Sequence, residues 1–192
     1  PFGEDDPPRP EDAYGISKWE AEQSLWRIAS ESGLEVVVLR APLVYGPGVK
    51  GNFLRLMRLV ARGCPLPLAS VRNRRSLVYL GNLVDALIVA ANAPAAAGRT
   101  YLVSDGEDWS TPELVRRIAG ALGVAPRLLP FPPALLQAGG ALLGRSGEIA
   151  RLTGSLQVDS AKIRRELDWH PPFSATQGLE ETGRWFRQAC GL

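Results

Sequence analysis

The sequence is poor in the groups on which much protein chemistry is built. It has one histidine, His170, set between Trp169 and Pro171. A multi-histidine metal site is therefore excluded, and any Ser/His/Asp triad would have to pass through that one ring, which is read as structural. Cys64 and Cys190 are the only cysteines and lie far apart, giving neither a metal-ligand spacing nor the dense framework of secreted domains. A reducing cytoplasm is the compartment this usage fits. Charge of either sign is not in excess: 22 basic and 20 acidic side chains leave +2, so no global field recruits DNA or an anionic membrane. Neither nucleic acid nor a membrane is expected as a partner. No uninterrupted apolar run is long enough to span a bilayer. Residues 128–143, the most apolar stretch, are broken by Pro130, Pro132, Pro133, Gly139 and Gly140, and read as a core helix behind a Pro-rich loop. No Met opens the chain, and its first residues form no apolar signal region, so a segment of something longer is expected.

What is present is a foldable α/β pattern. With 45% hydrophobic and 22% charged residues among 192, the chain can bury a substantial core as one domain. Residues 13–32 keep Ile16, Trp19, Leu25, Trp26 and Ile28 mainly at helical spacing behind Pro10-Glu11-Asp12, and Gly33 ends that helix. The β-branched run at 35–40 predicts a strand covered on both faces, as in a parallel sheet. Residues 76–80 read as a strand, 83–92 as an apolar helix, and 100–103 as another strand before the polar turn Ser104-Asp105-Gly106. The fold class expected is α/β, a doubly wound parallel sheet or part of one. Ser110-Thr111-Pro112-Glu113 opens a helix running to Gly120 or Gly123. Helical 135–143, a short 156–158 segment, and helices at 160–167 and 175–189 follow, without internal repeats.

Three features bear on chemistry. Tyr14 and Lys18 stand four apart on the first predicted helix, so phenol and ammonium can approach one site together. A tyrosine with the ordinary pKa of about 10 is a poor base, but a neighbouring cation favours its phenolate. Such a pair can move a proton while hydride moves to or from a nicotinamide, although the same pair is also common on a solvated helix. Gly46-Pro47-Gly48-Val49-Lys50-Gly51 matches the dinucleotide fingerprint. It is rejected, because no acidic residue occurs between Glu35 and Asp85 to hold a ribose and Pro47 removes a backbone donor. It reads instead as a glycine-rich bend at a strand's carboxyl end, where open α/β sheets bind ligands. Arg72, Arg74 and Arg75 form the densest basic cluster, either a diphosphate clamp or a solvated basic loop.

With these pieces placed, the chain resembles, from end to end, the extended short-chain dehydrogenase/reductase family. The likeness is to its NAD-dependent nucleotide-sugar epimerase, dehydratase and 4-keto-reductase members, typified by UDP-glucose 4-epimerase. Tyr14-Gly15-Ile16-Ser17-Lys18 looks like that family's Tyr-x-x-x-Lys signature, with trailing Glu20 and Glu22. Leu39-Arg40-Ala41-Pro42-Leu43-Val44-Tyr45-Gly46-Pro47 is similar to its strand and turn near nicotinamide and sugar, and Gly51-Asn52-Phe53 to its diphosphate-binding helix start. Pro65-Leu66-Pro67-Leu68 resembles the segment along the uracil, and Arg75-Ser76-Leu77-Val78-Tyr79-Leu80 with Asp85 its arginine-bearing strand. Asp159, Lys162, Leu167, Trp169, Pro172, Gly178, Leu179 and Trp185 follow its terminal pattern.

The resemblance implies Tyr14 as general acid/base at a sugar hydroxyl or carbonyl, and Lys18 on the nicotinamide ribose. It places Tyr14, Lys18 and Pro42 against NAD or NADP. Asn52, Arg75 and, more weakly, Arg151 would hold the diphosphate of a UDP-sugar, with Leu66 and Leu68 flanking the base. Residues 1–45 and 76–106 would be the remnant of a Rossmann-like domain, and 46–75 with 107–192 the substrate-binding portion. The family's glycine-rich cofactor loop, the first half of its sheet and its helper Ser/Thr precede the catalytic tyrosine. The resemblance therefore implies the C-terminal part of a longer enzyme, poorly able to bind a dinucleotide or turn over alone, and admits a homodimer for the parent. Two departures stand out. Leu43 occupies a place where many 4-epimerases carry an amide, and cannot hydrogen-bond. Ser76 replaces the usual aspartate and looks closer to the polysaccharide-assembly reductase and epimerase branch, so epimerase and reductase both stay open. A non-catalytic module that binds only a nucleotide-sugar or a partner protein is the alternative. A nucleic-acid module on Arg72, Arg74 and Arg75 is disfavoured by the low net charge and the lack of interleaved aromatics.

Overall fold

A computed structural model describes residues 1–192 except Glu11, Leu143 and Leu192. The chain opens with α1 (Ala13–Ser32), capped by the Asp12 carboxylate, which accepts from the Gly15 N–H at 2.8 Å, and closed by Gly33 at φ 73°. There follow β1 (Val37–Arg40), β2 (Leu43–Tyr45), α2 (Gly51–Ala61), β3 (Arg75–Tyr79), α3 (Leu80–Asn92), β4 (Arg99–Leu102) and β5 (Asp108–Trp109). The remainder is helical: α4 (Thr111–Leu122), α5 (Pro133–Leu142), α6 (Ser146–Thr153), α7 (Ala161–Leu167) and α8 (Ala175–Cys190). The expected helix at 135–143 is α5, and its last residue, Leu143, lies outside the described residues, as does Glu11 ahead of α1. The α6 helix was not expected at all.

The strands pair as the α/β reading requires. β1 runs parallel to β4 and β2 parallel to β3, with β5 antiparallel on the far side of β3. Pro42 separates β1 from β2, and its missing N–H interrupts the ladder there. The two small sheets stay joined through β4's continuation, where Val103 N–H donates to the Arg40 carbonyl at 3.2 Å and Asp105 N–H to the Leu77 carbonyl at 3.0 Å. The expectation that 35–40 is covered on both faces is corrected: every residue of β1 is only half-buried. It pairs along one edge with β4, and α1, the helix before it, buries none of its residues.

Two apolar cores result. One gathers Phe53, Met57 and Val60 of α2, Val115 and Ile118 of α4, and Leu179 and Phe186 of α8. The other packs Val78, Ala86, Tyr101 and Val103 against Ile163 and Trp169. Between them sits Asp105, whose carboxylate accepts from the Tyr45 hydroxyl at 2.8 Å, the Tyr79 N–H at 2.9 Å and the Asn82 amide at 2.8 Å. Burial pushes the Asp105 carboxyl above the usual carboxylate range, against the downward pull of those donors. Burial first, and then the Asp105 charge, push the Tyr45 phenol up. Gly46 closes the same junction: a Cβ there would stand 2.7 Å from Cβ of Leu80, at φ 154°. The glycine-rich bend is thus spent on bringing β2 against α3. Among the described residues no helix is long and apolar enough to cross a membrane.

Candidate active site

A cavity of about 510 Å³ opens where α2, α5 and α6 meet the start of β3, within the size range of small-molecule sites. Phe53, Leu56 and Leu59 line it from α2, Leu135 and Leu136 from α5, and Ile149 and Leu152 from α6. Four arginines, Arg55, Arg75, Arg145 and Arg151, and one acidic residue, Glu148, also line it. Arg55 pairs with Glu148 at 2.9 Å. Arg75 donates to the carbonyls of Arg151 and Gly154. Burial, and then the neighbouring Arg151 charge, hold its pKa below the ordinary arginine value. A site that draws cationic forks together in a partly desolvated place suits an anion with several oxygens.

Arg75 and Arg151 flank a frame held together by a buried amide. Asn73 is 3% exposed, its Nδ2 lies 2.9 Å from both the Thr111 hydroxyl and the Gly154 carbonyl, and its Oδ1 accepts from the Thr111 N–H at 2.8 Å. Thr111 Oγ1 in turn donates to the Leu152 carbonyl at 2.6 Å. These bonds tie the approach to β3, the start of α4 and the end of α6 into one frame. Arg151 then reaches outward to Asp12, the cap of α1, at 2.8 Å, so the first turn of α1 is fastened to the cavity rim.

Tyr14 and Lys18 come together on α1, with the Lys18 ammonium 5.5 Å from the phenol ring centroid. Tyr14 is 71% exposed, and neither residue lines the cavity. Pro42 is half-buried between β1 and β2, next to Leu43, which does line it. Asn52, in the first turn of α2, lines the cavity together with Arg75 and Arg151. Leu66 and Leu68 are not brought there: both are buried in the first core, and Leu66 pairs by a single bridge with Leu128. Arg72 and Arg74 are exposed on the loop before β3, while His170 is at the surface. Sequence reasoning missed Arg55, Arg145 and Glu148, along with Asn73. The i, i+3 spacing of Ile149 and Leu152 was the one available sign of α6. Among the described residues no three His, Cys, Asp or Glu side chains could hold a metal ion.

Two other sequence signatures meet in space: the Trp169 indole N–H donates to Asp85 at 2.9 Å, joining the α3 motif to the terminal pattern. Comparison with known proteins gives the same direction. Residues 1–104 match a family described as the NAD dependent epimerase/dehydratase family. The chain is 47% identical over 190 residues to the UDP-glucose 4-epimerase of Vibrio cholerae, covering 98% of this chain and 58% of that protein. It is 25% identical over 195 residues to the N-acetyl-alpha-D-glucosaminyl-diphospho-ditrans,octacis-undecaprenol 4-epimerase of Escherichia coli O157:H7, covering 93% of this chain and 58% of that protein. The structure superimposes on the UDP-glucose 4-epimerase of Thermus thermophilus in complex with NAD, with a TM-score of 0.72 and 28% identity, over 95% of this chain and 56% of that one. The chain thus spans little more than half the length of the relatives it matches.

Proposed function

The chain belongs to the NAD dependent epimerase/dehydratase family, and from that premise we propose that it is the C-terminal part of a UDP-hexose 4-epimerase or 4-keto-reductase. The observation that carries this reading is the cavity in which Asn52, Arg75 and Arg151 converge, fastened through Asp12 to the helix that bears Tyr14 and Lys18. The relatives' names add a shared chemistry, since a UDP-sugar and a diphospho-undecaprenol sugar both carry a diphosphate next to the sugar.

Of the cofactor, the residues present fit the nicotinamide-ribose end. Tyr14 and Lys18 are exposed side by side, and neither polar head has a hydrogen-bond partner among the described residues. The Gly46 to Gly51 bend does not fit a dinucleotide diphosphate, because Gly46 is packed against Leu80. NAD or NADP, when bound, supplies the acceptor and donor of hydride. The chain's own residues do the rest: Arg75 and Arg151 bind the sugar's diphosphate, Asn52 orients it, and Tyr14 takes and returns the proton at the sugar O4. Lys18 keeps a positive charge beside that phenol and donates to the ribose. The UDP-hexose assignment, the homodimer and the dependence of turnover on the rest of the parent protein belong to the same proposal.

Tyr14→Phe in the parent enzyme is expected to lower turnover by roughly 10²–10⁴-fold while UDP-sugar affinity, measured by calorimetry, stays put. Retained turnover would remove Tyr14 from the chemistry. One observation favours the binding-only alternative, namely that Tyr14 stands outside the cavity. That reading predicts UDP-sugar binding with no turnover even in the parent.

A further inference from the structure

Helix α5 has the composition of a core helix and the position of a surface one. Gln137 is its only polar side chain, yet of its 10 residues only Gly140 is buried. A helix that is apolar on every side is ordinarily covered on every side. Leu135 is instead 57% exposed and Leu142 88%, and Leu129 and Phe131 on the loop before the helix are exposed as well. Leu128 and Leu136 pack against the larger core. The helix packed along α5 is α6, which itself buries no residue. Contiguous apolar surface of this kind marks a place where something docks.

The rim of the apolar stretch is basic. No charged residue occurs from Leu128 to Gly144, and Arg127 and Arg145 stand at its two ends. Arg55 and Arg58 of α2 and its C-cap Arg62 fall at i, i+3 and i+7, one stripe of the helix, and all three are exposed. Arg55 and Leu59 line the cavity that α2 shares with α5, so the stripe follows the cavity edge. It leads to Arg127, whose Nε lies 3.9 Å from the place of a Cβ on Gly63. Arg55 is paired with Glu148, whereas Arg58, Arg62, Arg127 and Arg145 make no ion pair among the described residues. Residues 36–84 and 114–147, which include α2, Arg127 and α5, hold twelve arginines and lysines and no acidic residue. The net charge of +2, which gives no reason to expect a membrane partner, is the average of an uneven distribution.

We infer that this face, α5 and the loop before it with the arginines around them, docks on an anionic bilayer surface. At 1.5 Å per residue α5 is about 15 Å long, roughly half the hydrocarbon thickness, so it lies in the interface and does not span. Leu129, Phe131, Leu135 and Leu142 enter the acyl boundary, while Arg58, Arg62, Arg127 and Arg145 stay with the lipid phosphates. An acidic protein surface would answer the arginines alone. Hydrocarbon beneath a layer of phosphate answers both groups of side chains.

The test is cosedimentation of the 192-residue chain with vesicles of mixed phosphatidylglycerol and phosphatidylcholine, beside vesicles of phosphatidylcholine alone. Partition onto the anionic vesicles is expected to exceed that onto the neutral ones by at least about ten-fold, because each arginine near the surface adds to the attraction. Leu142→Asp, at a side chain already solvated in the folded chain, is expected to lower anionic-vesicle binding roughly ten-fold, the return for one leucine side chain. Arg58→Glu combined with Arg62→Glu should lower it at least as far. Leu25→Asp, at an exposed position of α1, should leave it unchanged. The inference falls if the chain stays in solution with both kinds of vesicle. It falls too if Leu142→Asp binds as well as the unsubstituted chain and high salt strips both, since that is how a face for an acidic partner behaves. Loss of binding in Leu25→Asp would also overturn it, as that marks adhesion through any exposed leucine. In the parent enzyme the same vesicle binding is expected; its absence there would mean that the rest of the parent covers α5, and the inference would fall.

Discussion

Helices α1 and α4 differ in what they bury. α1 is 20 residues long and has no buried residue, whereas α4, at 12 residues, buries Thr111, Pro112, Leu114, Val115, Ile118, Ala119 and Leu122. α4 packs against α2 and α8 within the larger core and supplies Thr111 and Leu114 to the cavity wall. α1 is attached chiefly by charge: Glu22 grips the Arg40 guanidinium of β1 through two bonds, the shorter 2.7 Å, and Arg40 also lies over the Trp19 ring. Folding energy and proposed chemistry are therefore housed on different elements. Substitutions on the α4 side should be felt in stability, and those at the α1 start in turnover.

The largest expected effect is in the α4–α8 core. Phe186 is 1% exposed, and Phe186→Ala is expected to cost roughly 3–5 kcal/mol in urea unfolding. A loss below about 1 kcal/mol would mean that this core does not carry the fold. An intermediate effect belongs to the attachment of α1. The Glu22 and Arg40 side chains are 12% and 26% exposed, between a surface pair and a buried one, so Glu22→Ala is expected to cost about 1–2 kcal/mol. Hydrogen exchange should show the loss concentrated in α1 and β1; an even loss across α4 and α8 would erase the contrast between the two regions.

The smallest effect is a pH dependence at the junction of the two cores. Because the folded-state pKa of Asp105 is raised by burial, the folded chain holds that proton to higher pH than the unfolded chain does. Stability contributed by the protonated form is present below the ordinary carboxylate pKa of about 4 and declines as pH rises through the raised value. Asp105→Asn keeps an oxygen for the Tyr79 N–H and the Asn82 amide and should flatten that slope in pH-dependent urea melts. An unchanged slope would assign it to another carboxyl group.

The elements with their own punctuation were legible in the sequence. Gly33 set the end of α1, and Ser110-Thr111-Pro112-Glu113 set the start of α4, because caps act over a few residues and need no tertiary partner. β1 was misjudged in burial, since a β-branched run records what a strand could bury and not what covers it. α6 escaped notice because it has only 8 residues, with Gly147 in its first turn and Gly154 at its end, too short for periodicity to stand out. Asn52, Arg75 and Arg151 could be named from motifs, but Arg55 and Glu148 meet only after α2 and α6 pack, across 93 positions of chain. Leu66 and Leu68, also named from a motif, have their side chains in the larger core.

The most direct test of the central claim is calorimetric titration of the chain with UDP, beside Arg75→Ala. A cavity that grips a diphosphate through Arg75 predicts a saturable heat for the unsubstituted chain and a loss of about 1.5–3 kcal/mol in binding free energy for Arg75→Ala. Equal affinities for the two proteins, or no heat from either, would contradict it.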